Sequence, residues 1–490
     1  MEITDLTPAE RRVWEAFPLG EGVDFREDED EDPVQGASWG PERTLRAEVL
    51  RALLLDGPVR DDRIAGLKVW GARITGRLDL KYGTVEHSIR LRCCHFDQAP
   101  DLYGARIVAL VLNDSVLPGL TAGNLRSEGV VRITCCRIAG PVRLAGAKIS
   151  SAFFANAARL GTPDDETPEE PVLQLNHAEV STDVWAAGLV AHGQVRMNGA
   201  TVGGQVNLEN AELYAPGGTA LHAETLTVGT DLHARGLRAR GRVNVSGARI
   251  PRHLSLTGAR LSHPGGQALR ASSSVVGELW LRGAAPVEGV VNLRGAQVDL
   301  LHVPPEVWPG QVRLDGLGYR VLAPHLPAER RLPLLERDTD GYLPYSYEQL
   351  STAYRTAGDD AAARTVQLAK LRRHRSTLPR YARLWGYVQD AAVGYGFRPM
   401  RAAGWLLVLL CTGTLAFALH RPPALKPSEA PGFNPFVYTL DLLLPIVDFG
   451  QQGAYAPRGW YQWLSYLLIA TGWVLATTIA AGVTRSLNRQ

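Results

Sequence analysis

Between about Asp61 and Leu322 the apolar residues follow neither a helical nor a simple strand pattern. The clearest units are GQVRMNGATV, GQVNLENAEL, GRVNVSGARI and RHLSLTGARL, variations on Gly-x-Φ-x-Φ-x-x-Ala-x-Φ with Φ apolar. Their second and third apolar positions lie five residues apart: Met197 and Val202, Leu208 and Leu213, Val245 and Ile250, Leu256 and Leu261. A helix would repeat at about 3.6 residues and a strand at about 2. Five suits a chain that turns a corner after each face and sends one side chain inward per face. Units start about eleven residues apart. A longer period of forty-eight joins Leu173, Leu221 and Leu269, and PGGTAL at Pro216 recurs as PGGQAL at Pro264, an inserted loop. Coils stacked in this way bury a continuous apolar column and hydrogen-bond from coil to coil.

The flanks have helical spacing. The first sixty residues predict two short helices around an acidic spacer. Thr7, Pro8 and Glu10 are placed as N-cap, N1 proline and capping-box glutamate. DFREDEDEDP, Asp24 to Pro33, reads as a solvated linker, with a metal site as the alternative. GPERTLRAEVLRALLLDG then puts Leu45, Val49 and Leu53 on one face, an amphipathic helix suited to capping the repeat. Beyond the repeat, Tyr345 to Arg375 predicts a helix-turn-helix of the tetratricopeptide kind. Tyr347, Leu350 and Tyr354 share its first helix, Gly358 marks the turn, and Ala362, Val366 and Ala369 share the second. One such unit cannot bury its own face, so it should pack on the end of the solenoid or on another subunit.

Two long apolar runs come next, Ala402 to Leu419 and Trp460 to Thr484, each long enough to be a membrane span. Trp460, Trp463 and Tyr466 open the second as interfacial anchors do. Between them lies NPFVYTLDLLLPIVDFGQQ, Asn434 to Gln452, greasy enough to enter a bilayer and too short to cross one. Asn434 and Pro435 signal a helix start and Pro445 its stop. The segment therefore reads as a re-entrant or interfacial helix leading into an irregular loop. Arg364, Lys370, Arg372, Arg373, Arg375, Arg380, Arg383, Arg398 and Arg401 precede the first span, and Arg485 and Arg489 come after the second. Only Arg421, Lys426 and Arg458 lie between. The positive-inside rule places both termini and the β-helix in the cytoplasm of a multi-pass protein of the cytoplasmic membrane.

Composition narrows the function little. A net charge of +2 gives no electrostatic footprint for nucleic acid, and none is expected as a partner. The basic run ending in KLRRHR and RYARLW reads as a juxtamembrane segment against anionic lipid. Five cysteines, Cys93, Cys94, Cys135, Cys136 and Cys411, include no CxxC spacing, so neither a disulfide framework nor a zinc knuckle is expected. In the aligned stretches IRLRCCHF and VRITCCRI, Cys94 and Cys136 take the small Ala position while Cys93 and Cys135 point outward. No apolar leader opens the chain. No cofactor, metal or catalytic set is expected, and scattered histidines such as His87, His95, His192 and His233 read as wall or surface residues. The loop GTPDDETPEEP, Gly161 to Pro171, is either a partner contact or solvated.

These motifs carry three resemblances. The repeat resembles the pentapeptide-repeat β-helix, centred on A-x-L-x-x. The plan of span, short helix, irregular loop and span resembles a two-helix potassium-channel subunit, whose filter reads T-V-G-Y-G. Ile446, Val447, Asp448, Phe449 and Gly450 match it at the valine, the aromatic and the last glycine, and depart at Ile446 and Asp448. That resemblance implies an oligomer, a tetramer, with Asp441 and residues 446–450 at the pore and Gly472 as a hinge. The opening GARITGRLDL, the YEQL…YRTAGDDAAAR hairpin and GYGFRP before the first span resemble large actinobacterial membrane-associated proteins, some labelled membrane-associated oxidoreductase.

The expected fold class is mostly β: a pentapeptide-like β-helix (solenoid), a helical hairpin and a two-helix transmembrane domain with a re-entrant helix. The expected divisions are 1–60, 61–322, 323–400 and 401–485, with the re-entrant segment at 434–452. Three functions fit this plan. One is a membrane-tethered cytosolic interaction module with membrane lipid and an unidentified cytosolic protein as partners. The second is an oligomeric channel-like pore. The third is an oxidoreductase, which rests only on the label of the look-alike proteins.

Overall fold

The computed structural model describes residues 5–28, 31–60, 62–163, 170–283, 285–379, 399–426, 430–444 and 447–487. It divides into two units, Met1–Ala357 and Gly358–Gln490.

In the first unit the repeat folds as a parallel β-solenoid of about 11 turns. One coil shows the plan: short strands Val131–Arg132, Arg137–Ile138, Val142–Arg143 and Lys148–Ile149. Each pairs in parallel with its counterpart one coil on, Val131 opposite Phe153, Ile138 opposite Leu160, Val142 opposite Leu173 and Ile149 opposite Val180. One apolar residue per face points inward and is buried, as the five-residue spacing requires. A coil advances 22 residues from Asp183 to Gln205 and 26 from Glu212 to Arg238, where a loop is inserted. The forty-eight-residue period is therefore two coils, traced by the pairs Leu173–Val195, Val195–Leu221, Leu221–Val243 and Val243–Leu269. The eleven-residue unit is half a coil.

Each half-coil turns one tight corner through a residue of positive φ, and there the backbone disfavours an ordinary side chain. Along one edge glycine alternates with larger residues: Tyr82, Gly104, Asn124, Gly146, His177 and Gly199 all have positive φ. A Cβ on Gly146 would lie 2.4 Å from the Asn124 carboxamide oxygen, so the larger residue of one coil folds over the glycine of the next. On the other edge Cys93 and Cys135 occupy such corners, with φ of 50° and 56°.

Both ends are covered. Helix α1, Pro8–Ala16, has the predicted capping box, with Thr7 N donating to Glu10 at 2.9 Å and Glu10 N to Thr7 Oγ1 at 3.2 Å. Helix α2, Ala47–Asp56, buries Val49 and Leu53 next to Leu45, as its spacing predicts. Buried Glu10 also pairs with Arg46 at 2.8 Å, tying the start of α1 to the start of α2.

The acidic spacer is more structured than a linker. Val23–Asp24 pairs with the first coil, Glu31 holds buried Arg43 at 2.8 Å, and Asp32 reaches Arg137 at 2.9 Å. Arginines distant in sequence recruit these carboxylates, which local charge density could not reveal.

At the other end, the strand Gly318–Ala323 leads into helices α3, Ala328–Glu336, and α4, Pro344–Thr356. Tyr347, Leu350 and Tyr354 are buried, and α4 is fastened by Gln349 donating to the Tyr319 carbonyl and by Tyr354 Oη to the Leu326 carbonyl at 2.6 Å. The first predicted helix of the hairpin thus packs on the end of the solenoid.

The second unit contains α5, Asp360–Thr377, α6, Pro399–Leu419, α7, Pro435–Leu443, and α8, Trp460–Leu487. Asp359 caps α5 through Ala362 N at 2.9 Å, and Ala362 and Val366 are buried while Ala369 is half-buried. Arg380, Arg383 and Arg398 of the basic segment lie outside the described residues, as does most of the Gly161 to Pro171 loop. Side chains are described over 403–419 of α6 and 460–476 of α8. Among the described residues no helix is long and apolar enough to cross a membrane.

Candidate functional site

The short helix α7 starts where Asn434 and Pro435 predict. Asn434 Oδ1 accepts from Phe436 N at 3.0 Å and Val437 N at 3.3 Å, satisfying donors that a helix start leaves open. The helix packs against both α6 and α8 through a cluster of Phe417, Tyr438, Leu442, Leu443, Tyr455 and Leu468. Phe417 and Tyr438 meet edge to face at 4.9 Å, a favoured arrangement of aromatic quadrupoles. Two glycines make the close approach possible. A Cβ on Gly413 would lie 2.4 Å from Thr439 Cγ2, and one on Gly472 would lie 2.4 Å from the Leu443 carbonyl oxygen. Gly472, expected as a hinge, is thus a point of close contact between α7 and α8.

Asp441 organises the loop after α7. Its side chain is buried, with 3% of its surface exposed. Oδ1 accepts from Phe449 N at 2.9 Å, and Oδ2 accepts from Gln451 N at 2.9 Å and Gln452 N at 2.6 Å. A buried carboxylate is costly unless its lone pairs are filled, and three backbone donors fill them. Buried Gln451 then ties the loop to the start of the helix: its Oε1 accepts from Asn434 N at 3.2 Å and its Nε2 donates to the Gly432 carbonyl at 3.0 Å.

The expected filter residues fall on one side of this anchor. Val447, Asp448, Phe449 and Gly450 are exposed. Asp448 Oδ1 accepts from Gly450 N at 2.7 Å, a tight local turn, and Gly450 has φ of 77°, the conformation glycine tolerates. Pro445 and Ile446 lie outside the described residues. The helix ends at Leu443, so Asp441 and Asp448 share no helix face: the first points into the bundle and the second outward. Asp441 therefore does not face water.

Sequence reasoning missed the carboxylate's partners. The available signal was an aspartate inside an apolar helix, ten residues before a glutamine pair. It also missed His420 Nδ1 and Tyr461 Oη at 2.8 Å, whose rings stack at 4.7 Å.

The cysteine pairs sit as their alignment implies. Cys94 and Cys136 are fully buried in a column of small residues with Ala72, Ser115 and Ala158. Burial pushes the Cys94 thiol up to about 12 and the Cys136 thiol up as well, which keeps both protonated. Cys135 is exposed and Cys93 half-buried; both thiols are raised, by burial first and then by the Asp114 carboxylate. All five cysteines are free. Among the described residues no group of three His, Cys, Asp or Glu side chains could hold a metal ion.

Fold and site together define a parallel β-solenoid scaffold joined to a helical unit built around a short anchored helix. No family model, curated protein or solved structure matches the chain.

Proposed function

We propose that the helical unit is an integral membrane anchor and that the solenoid is a rigid cytosolic interaction module tethered by it. The observation that carries this reading is the outer surface of the two long helices. Trp405, Val408, Leu415 and Leu419 on α6, and Trp460, Trp463, Leu467 and Val474 on α8, are exposed while the inner faces pack on α7. Scattered apolar side chains are ordinary on a water-facing surface, but a contiguous apolar face needs lipid or a partner. The apolar runs Ala402 to Leu419 and Trp460 to Thr484 have the sequence length that spanning a bilayer takes, about 20 residues, although among the described residues no helix is long and apolar enough to cross one. Orientation rests on the arginine distribution, which favours cytoplasmic termini.

A second reading is favoured by the exposed turn at Asp448. In a homo-oligomer, a tetramer by the two-helix plan, Val447 to Gly450 of each copy would surround one axis, and the Asp441 anchor would set the position of that loop. The oxidoreductase reading rests on the label of look-alike proteins, and among the described residues no side-chain cluster argues for it.

Fractionation tests the first reading. The full chain should stay with membranes through alkaline carbonate and require detergent for release. Extraction by carbonate alone would overturn it. Mass measurement of the detergent-solubilised protein separates the two readings. A monomer leaves the tether, because two long helices and one short helix cannot wall a pore; a tetramer favours the channel, with liposome ion flux for wild type and Asp448→Asn as the next measurement.

A further inference from the structure

The C-terminal end of the solenoid holds a buried cation with no anion paired to it among the described residues. Arg331, on α3, has only 6% of its surface exposed. Arginine is seldom buried this deeply unless a carboxylate accompanies it, because the desolvated charge must be compensated. Here one guanidinium nitrogen donates to the Pro324 carbonyl, and among the described residues no carboxylate forms an ion pair with Arg331. Burial pulls its pKa below the ordinary value, and the opposing influences come from Tyr354 and Tyr319, phenols rather than acids.

Two cavities meet at this side chain. One, of about 140 Å³, is lined by Arg331, Arg320, His325, Tyr354 and Thr356 among apolar neighbours, with no Asp or Glu in its wall. Arg320 sits at the surface and pairs with exposed Asp299 at 3.8 Å, so its charge is offset there and Arg331 is the cation the cavity presents. The other is an apolar crevice of about 30 Å³, room for about one water. Ser346 lines that crevice, and among the described residues its buried hydroxyl has no hydrogen-bond partner. A polar group left this way costs about 1–3 kcal/mol unless something fills its valence. A buried guanidinium and a cavity wall free of acids share one complement, and the Ser346 hydroxyl faces the adjoining crevice, where about one water fits.

We propose that this pocket binds a small oxyanion, phosphate or a short carboxylate, held bidentately by Arg331. The guanidinium presents parallel N–H donors that match two oxygens of either group. The cavity of about 140 Å³ has room for a compact anion and not for a long acyl chain, and the adjoining crevice takes about one water.

The test is calorimetric titration of the full chain in detergent, with chloride as the only background anion, using inorganic phosphate and, separately, acetate. Saturable binding of either is expected, and which one binds more tightly identifies the class. Arg331→Met should weaken binding about tenfold or more, the equivalent of one charge-assisted bond. Arg331→Lys covers the case in which the methionine variant does not fold: it keeps the charge, loses the fork and should also weaken binding. No saturable binding of either anion by wild type would overturn the proposal. So would unchanged affinity in a folded Arg331 variant, which would make the arginine a clamp on the Pro324 carbonyl and nothing more.

Discussion

Asp441→Asn should release the loop after α7. The carboxylate takes three backbone donors, one on Oδ1 and two on Oδ2. Asparagine offers a single acceptor oxygen. With that oxygen at the Oδ2 position, the bonds from Gln451 and Gln452 survive in neutral form, and the new amide group faces the Phe449 N–H. With the oxygen at Oδ1, two donors are lost instead. A hydrogen bond to a charged group contributes about 1.5–3 kcal/mol, and a buried donor left without a partner costs about 1–3 kcal/mol. Burial of Asp441 keeps water from replacing the lost partner, so a local loss of about 2–4 kcal/mol is expected. Amide hydrogen exchange on detergent-solubilised protein reads this residue by residue. Phe449, Gln451 and Gln452 should exchange about 30–700-fold faster in the variant, the factor that about 2–4 kcal/mol implies. Amides of Leu254 and Leu279 in the solenoid should not change. If the three loop amides keep wild-type protection, the carboxylate is not what holds the loop, and the account of Asp441 as its anchor is wrong.

Three further outcomes are expected. Gly472→Ala should destabilise the helical unit by about 1–3 kcal/mol in thermal unfolding, because the added methyl meets the Leu443 carbonyl at 2.4 Å; wild-type stability would remove the tight-packing role. A maleimide should label Cys135, and Cys93 more slowly, in the native protein, faster as pH rises because both thiols are raised, whereas Cys94 and Cys136 should react only after unfolding. Native labelling of Cys94 would contradict its place in the wall. Glu10 carries a pH signature: burial opposes its ionisation, but the Arg46 guanidinium and the Thr7 and Arg46 N–H groups outweigh it and hold its pKa below the usual 4.5. A lowered folded pKa stabilises above the unfolded value and is lost as pH falls through the folded one. Glu10→Gln should therefore cost about 1–2 kcal/mol at neutral pH, discounted because Arg46 is partly exposed, and the difference should shrink steadily below pH 4.5. A pH-independent difference would refute the ionic account.

The helix ends and the inward column were legible because local chemistry fixes them. Thr7 with Glu10, and Asn434 with Pro435, announce helix starts through donors within three residues. The five-residue apolar spacing announces a corner on each face, since only that spacing returns Met197 and Val202 to one interior. What the spacing left open was how many units close a coil. Eleven residues make half a turn, and only the pairing of Leu173 with Val195, and of Val195 with Leu221, shows it.

The sequence by itself determined the repeat, its small-residue column with Cys94 and Cys136, and the caps, because each depends on neighbours along the chain or on a strict period. The tertiary structure decided the fate of the charges. Asp32 meets an arginine 105 residues away, Asp441 turns inward to amides that the next loop brings back, and Arg331 is buried without an ion pair to any carboxylate among the described residues. A charge takes its meaning from what lies within a few ångströms of it, because desolvation and hydrogen bonding act over that distance, and only folding sets those neighbours.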